Sequence, residues 1–83
     1  MRKYRIDGII NSKTKKKDLD SAHRIGKIVA IDKNTILKNE SLLMKNLDED
    51  KYIKTSPIKN YFLDHEDIYI ETKNRIYKLV KVD

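Results

Sequence analysis

Apolar and polar residues alternate along much of this 83-residue chain, most regularly near its C-terminus. In the stretch "IYIETKNRIYKLVKV", residues 68–82, apolar residues recur at every second position on both sides of Lys73-Asn74. A period of two is typical of a β-strand with one buried face, and a Lys-Asn pair suits a two-residue hairpin turn. The pattern therefore predicts a C-terminal hairpin. Its buried face is predicted to contain Ile68, Ile70, Tyr77 and Leu79.

Three earlier stretches are also predicted to be strands: "RIGKIVAID", "ESLLMKN" and "YIKTSPIKNYFLD". The first is rich in β-branched residues, and Gly26 within it indicates a bend. Lys33-Asn34 follows as the turn of a second predicted hairpin. Pro57 interrupts the last stretch, which places its middle at a sheet edge or a bend because proline donates no ladder hydrogen bond.

The N-terminal region carries a weaker pattern. Asp7-Gly8 suits a tight turn between two short strands. Residues 11–23 lack an apolar period and are interpreted as a mobile connection, with a short helical turn at "LDSAH". We accordingly divide the chain into a basic arm at 1–23 and a small β domain at 24–83.

Several short strands with almost no helical period indicate a mainly β protein. The predicted architecture is a small antiparallel meander of five to six strands. It would form either an SH3-like or Sm-like barrel or a curled sheet, with little helix. One core is all that a chain of this length supports.

The positive charge is concentrated in the first third of the chain. The formal net charge is +6, and residues 1–27 hold nine Lys and Arg against three Asp, whereas the remainder holds ten basic and ten acidic residues. Such a basic segment indicates an anionic partner, although a Lys-rich composition alone would also produce it. The candidate nucleic-acid-binding residues are Lys13, Lys15, Lys16, Lys17 and Lys27.

Enzyme chemistry has little support in this sequence. There is no Cys, and two Gly are too few for a glycine-rich phosphate-binding loop or a dinucleotide-binding fingerprint. His23 and His65 belong to no nucleophile or zinc motif. We expect no cofactor and no metal. No apolar run approaches the length of a membrane span and the N-terminus lacks a signal-peptide core, so we expect a cytoplasmic protein without a membrane partner.

Ligand binding is easier to support. Tyr61 and Phe62 are adjacent, so a strand would point them to opposite faces and expose one of them for stacking on a base. Thr55 and Ser56 precede a proline, where their hydroxyls could hold phosphate oxygens or bond to nearby backbone. Arg75, beside the hairpin turn, could grip a phosphate bidentately or remain solvated.

Part of the chain resembles a known family. "TSPI" followed by "IYIETKNRIYKL", within about Ile53 to Leu79, resembles small phage proteins of the first Thoeris anti-defence family, which sequester cyclic ADP-ribose-type signals. The resemblance implies a non-enzymatic β-rich homo-oligomer with ligand pockets near subunit contacts. It also implies pocket residues at Asn74 and Phe62, with Arg75 or Arg24 as the phosphate partner.

Three functions remain open at this point. The first is a binding protein for an anionic nucleotide, as a phage-encoded sponge or another antagonist of bacterial immune signalling. The second is a small β protein that binds RNA or DNA. The third is a protein-interaction module that inhibits a host factor.

Overall fold

The alternating segments assemble into one antiparallel sheet of seven strands in a computed structural model that describes residues 1–82. Asp83, the last residue of the expected β domain, lies outside the described residues. The strands are β1 (Arg2–Asn11), β2 (Ile28–Ile31), β3 (Leu43–Asn46), β4 (Lys51–Lys54), β5 (Ile58–Asp64), β6 (Asp67–Thr72) and β7 (Arg75–Val82). Two 3-10 helices lie at Leu19–Arg24 and Lys33–Thr35. The strand order across the sheet is β4-β3-β2-β1-β7-β6-β5.

The mainly β, antiparallel prediction is confirmed, but the strand number is seven and the sheet stays open. β4 and β5 are its two edges and do not pair with each other. The β2–β3 connection lies beside the start of β5 instead. There, the Asn39 N–H donates to the Ile58 carbonyl at 2.7 Å, and the Ile58 N–H donates to the Glu40 carbonyl at 3.0 Å. These two bonds curl the sheet without closing it into a barrel.

β1 lies in the interior of the sheet, between β2 and β7, so the N-terminal residues are part of the sheet rather than an arm beside it. The expected turn at Asp7-Gly8 was wrong. Both halves of β1 pair with β7, and the register shifts between Ile6 and Gly8. This bulge inserts one extra residue, which keeps Tyr4, Ile6 and Ile9 on the same buried face.

The C-terminal hairpin is confirmed. β6 pairs with β7 in the register that a turn at Lys73-Asn74 requires, with Ile70 opposite Tyr77. Because cross-strand neighbours share a face, the predicted apolar side is buried as a set. Its members Ile68, Ile70, Tyr77 and Leu79 are at most 1% exposed.

The second predicted hairpin was wrong. Lys33–Thr35 forms a 3-10 turn, and β2 pairs with β3, with Ala30 opposite Lys45. The side chain of Asp32 accepts a hydrogen bond from the Asn34 N–H at 3.0 Å. An Asp side chain that binds backbone N–H two residues on favours a turn over a strand ladder. The chain therefore leaves the sheet at this point.

The interruption at Pro57 is confirmed, since β4 ends at Lys54 and β5 begins at Ile58. After this bend the chain passes from one edge strand of the sheet, β4, to the other, β5. The buried core consists of Tyr4, Ile6, Ile9, Val29, Ile31, Ile36, Leu42, Met44, Ile53, Ile58, Ile68, Ile70, Tyr77 and Leu79. Neither 3-10 turn in residues 1–82 has the length or apolar character of a membrane-crossing helix.

Candidate anion-binding site

A polar network fastens the first 3-10 helix to the start of β7. The Arg24 Nη1 donates to the Tyr77 hydroxyl at 3.1 Å, and the Tyr77 side chain is buried. At the other end of the helix, the Asp18 carboxylate accepts from Arg75 Nε at 2.5 Å and from Ser21 Oγ at 2.5 Å. The helix is thus held at both ends, and Arg24 has a fixed position.

Asp18 and Arg75 form an ion pair at the start of this helix. The hydrogen bond from Ser21, followed by that from Arg75, holds the pKa of Asp18 below its ordinary value, although burial opposes this shift. Burial also acts to lower the pKa of Arg75, but hydrogen bonding to Tyr77 and Asp18 outweighs it and raises that pKa. Both groups remain charged at neutral pH. Arg75 therefore has a structural role through its Nε.

Beside Arg24 lies a depression of about 190 Å³ that we name the basic cleft. It is lined by His23, Arg24, Lys27, Asn46, Glu49, Lys51, Tyr52, Ile53 and Lys54. Four of these residues are Lys or Arg and one is an acid, Glu49, which lies 3.4 Å from the Lys27 ammonium. With histidine neutral, the lining carries a formal charge of +3 (four cations minus one carboxylate).

The basic cleft is assembled by backbone hydrogen bonds from distant parts of the chain. The loop before β2 is tied to β1, because the Gly26 N–H donates to the Ile6 carbonyl at 2.7 Å and the Ile6 N–H donates to the Lys27 carbonyl at 3.0 Å. On the other side, β3 and β4 place Asn46 opposite Lys51. The buried Asn46 side chain holds the turn between them by accepting from the Asp48 N–H at 3.0 Å.

The predicted ligand-binding residues converge only in part: the guanidinium groups of Arg24 and Arg75 both interact with the Tyr77 side chain. Arg24 lies in the basic cleft. Asn74 lies in the β6–β7 turn, where its carbonyl accepts from the Ser12 N–H at 3.0 Å. Tyr61 and Phe62 lie on β5 and are both exposed, although their side chains point to opposite faces as expected.

Thr55 and Ser56 lie in the bend between β4 and β5. Thr55 is buried, and its hydroxyl accepts from the Leu42 N–H at 3.0 Å and donates to the Ser56 carbonyl at 2.8 Å. Both hydrogen-bonding roles of the hydroxyl are thus used within the protein. For Thr55, the structure thus contains the predicted alternative in which the hydroxyl bonds to backbone groups.

The lysines predicted to bind nucleic acid separate into two groups. Lys27 lines the basic cleft. The other four lie in residues 11–18, which we name the lysine loop. Local hydrogen bonds organise this loop: the Asn11 side chain accepts from the backbone N–H groups of Lys13 and Thr14 at 2.9 and 3.1 Å. The helical turn expected at "LDSAH" is present as the first 3-10 helix.

Sequence reasoning missed several residues of the basic cleft: His23, Lys51, Tyr52 and Lys54. The signal available was "KYIK", in which two lysines flank a tyrosine in a short strand. Nothing in that pattern shows that this strand lies near Arg24. The contact depends on the pairing of β2 with β3, which the predicted hairpin at Lys33-Asn34 had excluded.

Comparisons of the chain with protein-family models, with curated proteins and with solved structures find no match. Among residues 1–82, no group of three or more His, Asp or Glu side chains is arranged to hold a metal ion. The lining of the basic cleft offers cationic hydrogen-bond donors beside the exposed ring of Tyr52. Such a set is suited to phosphate.

The two buried tyrosines give a matched test of the polar network. Replacing Tyr77 with Phe removes a hydroxyl bonded to a charged guanidinium, and we expect the free energy of unfolding to fall by about 1.5–3 kcal/mol. The Tyr4 hydroxyl is buried without a hydrogen-bond partner among residues 1–82. Tyr4→Phe should therefore be neutral or stabilising. Urea denaturation of both variants measures the difference, and equal losses would contradict the assigned role of Tyr77.

A second expectation concerns acid stability. Because the pKa of Asp18 is lower in the folded protein than its ordinary value of 3.8, its contribution is fully present above that value. It is lost as pH falls through the lower, folded-state pKa. Asp18→Asn should reduce stability at neutral pH and flatten the dependence below about pH 4. Thermal melts from pH 2 to 7 measure this, with the exposed Asp20→Asn as control; parallel curves for wild type and Asp18→Asn would contradict it.

Proposed function

We propose that this protein is a non-enzymatic binding protein that captures a phosphorylated nucleotide in the basic cleft. The observation that carries the proposal is the fixed position of Arg24, half-buried and held by the Tyr77 hydroxyl at the side of a cationic depression. Among residues 1–82, Arg24, Lys51 and Lys54 form no ion pair. Their charges are therefore available to an anion.

The size of the basic cleft favours one part of such a ligand. At about 190 Å³ it is smaller than the roughly 300–1,000 Å³ typical of a site that encloses a whole small molecule. A phosphate or diphosphate fits this space, and the nucleoside would lie outside it. Tyr52, 63% exposed at the rim, offers a face for the base. Stacking there would contribute about 1–3 kcal/mol.

The surroundings of the one acid in the basic cleft support capture rather than turnover. Glu49 interacts with Lys27 at 3.4 Å through one oxygen and with the Asn46 amide at 3.3 Å through the other. A carboxylate engaged at both oxygens is poorly placed to act as a general base. Sequestration of a cyclic ADP-ribose-type signal is the form of this function that the sequence resemblance implies.

Calorimetric titration with ADP-ribose as the probe tests the proposal. Losing a charge-assisted hydrogen bond costs about 1.5–3 kcal/mol, so Arg24→Gln should weaken binding about 10- to 100-fold. Lys54→Gln should weaken it less, and Lys38→Gln, an exposed lysine outside the cleft, should leave it unchanged. Inorganic phosphate should compete.

Two outcomes would contradict capture in the basic cleft. One is equal affinity of Arg24→Gln and Lys38→Gln for the probe. The other is recovery of a chemically altered ADP-ribose after the complex is denatured, since a sponge returns its ligand intact.

A second candidate function, nucleic-acid binding, is favoured by the lysine loop. Its four lysines and Lys73 of the adjacent hairpin turn form no ion pair among residues 1–82. The two segments are joined, because Ser12 Oγ donates to the Lys73 carbonyl at 2.9 Å. Five lysines at one end of the sheet provide a surface for a phosphate backbone.

The dependence of affinity on salt tests this second function. Each neutralised phosphate of a single strand should contribute about −0.7 to the slope of log affinity against log salt concentration. A Lys13, Lys15 and Lys16 to Gln triple variant should bind an oligonucleotide more weakly and with a shallower slope. The matched control replaces Lys33, Lys38 and Lys59. Substitution is preferable to deletion of residues 1–17, which would remove β1. An unchanged slope in the first triple variant would count against this function.

A further inference from the structure

The outer edge of β5 has no partner strand, and three large apolar side chains of this strand are exposed. β6 covers only one edge of this strand. Tyr61, Phe62 and Leu63 are 38%, 55% and 59% exposed. Tyr61 and Leu63 lie on the core side of the sheet, opposite Ile70 and Ile68, so they extend the apolar face beyond the last covered strand. Phe62 lies on the other face.

The backbone of the same segment points outward. The Tyr61 N–H is bound by the neighbouring Asn60 side chain at 2.9 Å, rather than by β6. Along a strand of an antiparallel pair, every second residue turns its N–H and C=O groups away from the neighbouring strand. Leu63, two residues on, therefore also presents its N–H and C=O to the open edge. The start of β5 is not available, because Ile58 is bonded to the β2–β3 connection.

The opposite edge of the sheet is protected. β4 has four residues and carries lysines at both of its ends, Lys51 and Lys54. Short edge strands and edge lysines are the usual devices that prevent unwanted pairing. Residues 60–63 of β5 contain neither a charge nor a proline. The β4 edge is thus protected against pairing and the β5 edge is not, which favours pairing of β5 with a partner strand.

We propose that β5 pairs antiparallel with the β5 strand of a second copy of this chain, about a two-fold axis at Phe62. In this register Tyr61 of each copy lies opposite Leu63 of the other. Their outward backbone groups form four hydrogen bonds once the Tyr61 N–H transfers from its own Asn60 side chain to the Leu63 carbonyl of the second copy. Phe62 meets its own counterpart on the other face. Asn60 meets Asp64 of the second copy, where its amide donates to the carboxylate.

A second copy satisfies this edge better than an unrelated strand. Antiparallel self-pairing brings the basic beginning of β5, at Lys59, alongside its acidic end, at Asp64, twice in one interface. The contact is isologous and closes at two subunits, whereas pairing of β5 with the lysine-flanked β4 would propagate an open chain. The proposed contact is a single strand pair over residues 60–64, so dimerisation should depend on concentration.

Sedimentation equilibrium of the full chain tests the dimer. Wild type should shift from a 9.9 kDa monomer toward twice that mass as concentration rises. Leu63→Lys should remain monomeric at the same concentrations. The matched control is Leu19→Lys, which alters an 83% exposed leucine in the first 3-10 helix and should still dimerise. Circular dichroism confirms the fold of each variant. A monomeric wild type, an unaffected Leu63→Lys, or growth beyond a dimer would overturn the proposal.

Single cysteines test the register, because the chain contains no Cys. Across the two-fold axis, residue 62 faces itself at a spacing that a disulfide can bridge. The two copies of residue 61 lie about two residues apart along the strands, beyond the roughly 7 Å limit. Phe62→Cys should therefore form a disulfide-linked dimer under mild oxidation much faster than Tyr61→Cys. Equal rates, or faster linkage at 61, would overturn the register.

Discussion

The pairing of the first strand with the last is the constraint on which the rest of this structure depends. β1 forms its longest ladder with β7, and all seven strands are held in one sheet only because this pair joins the two halves of the chain. The bulge at Asp7 makes the pairing compatible with one core. Without the extra residue, the period of two would turn Ile9 to the solvent side, whereas with it Ile9 lies opposite the buried Tyr77.

The same residues position the basic cleft. Ile6, immediately before the bulge, exchanges two backbone hydrogen bonds with the loop at Gly26 and Lys27. Gly26 has a φ of +89°, a conformation that residues with a Cβ rarely adopt, so the loop can fold back onto β1 at low cost. On the other side, Tyr77 places its hydroxyl under Arg24. A cationic surface is therefore supported by the rigid centre of the sheet, which lowers the entropic cost of holding an anion.

The sequence pattern predicted correctly the features that depend on neighbouring residues. The β6–β7 hairpin, the break at Pro57 and the burial of Tyr77 each follow from a period of two or from a missing donor. The errors concern choices between competing local and distant partners. Asp32 bonds to its own turn and removes the expected hairpin, and Asp7-Gly8 forms a bulge because both flanks find β7. Distant partners also engage two of the ligand candidates: Arg75 Nε donates to Asp18, and the Thr55 hydroxyl accepts from the Leu42 N–H.

The proposed ligand site and the proposed dimer contact involve different edge strands of the open sheet. The basic cleft lies beside β4, and the unprotected apolar edge lies at β5, with five strands between them. The sheet is curled, and the two edges are nevertheless close in sequence, because only residues 55–57 join the end of β4 to the start of β5. A dimer formed through β5 would carry two basic clefts, one on each copy. Self-association would then raise the number of sites per particle without adding a contact to either cleft, because β5 contributes no residue to the cleft lining.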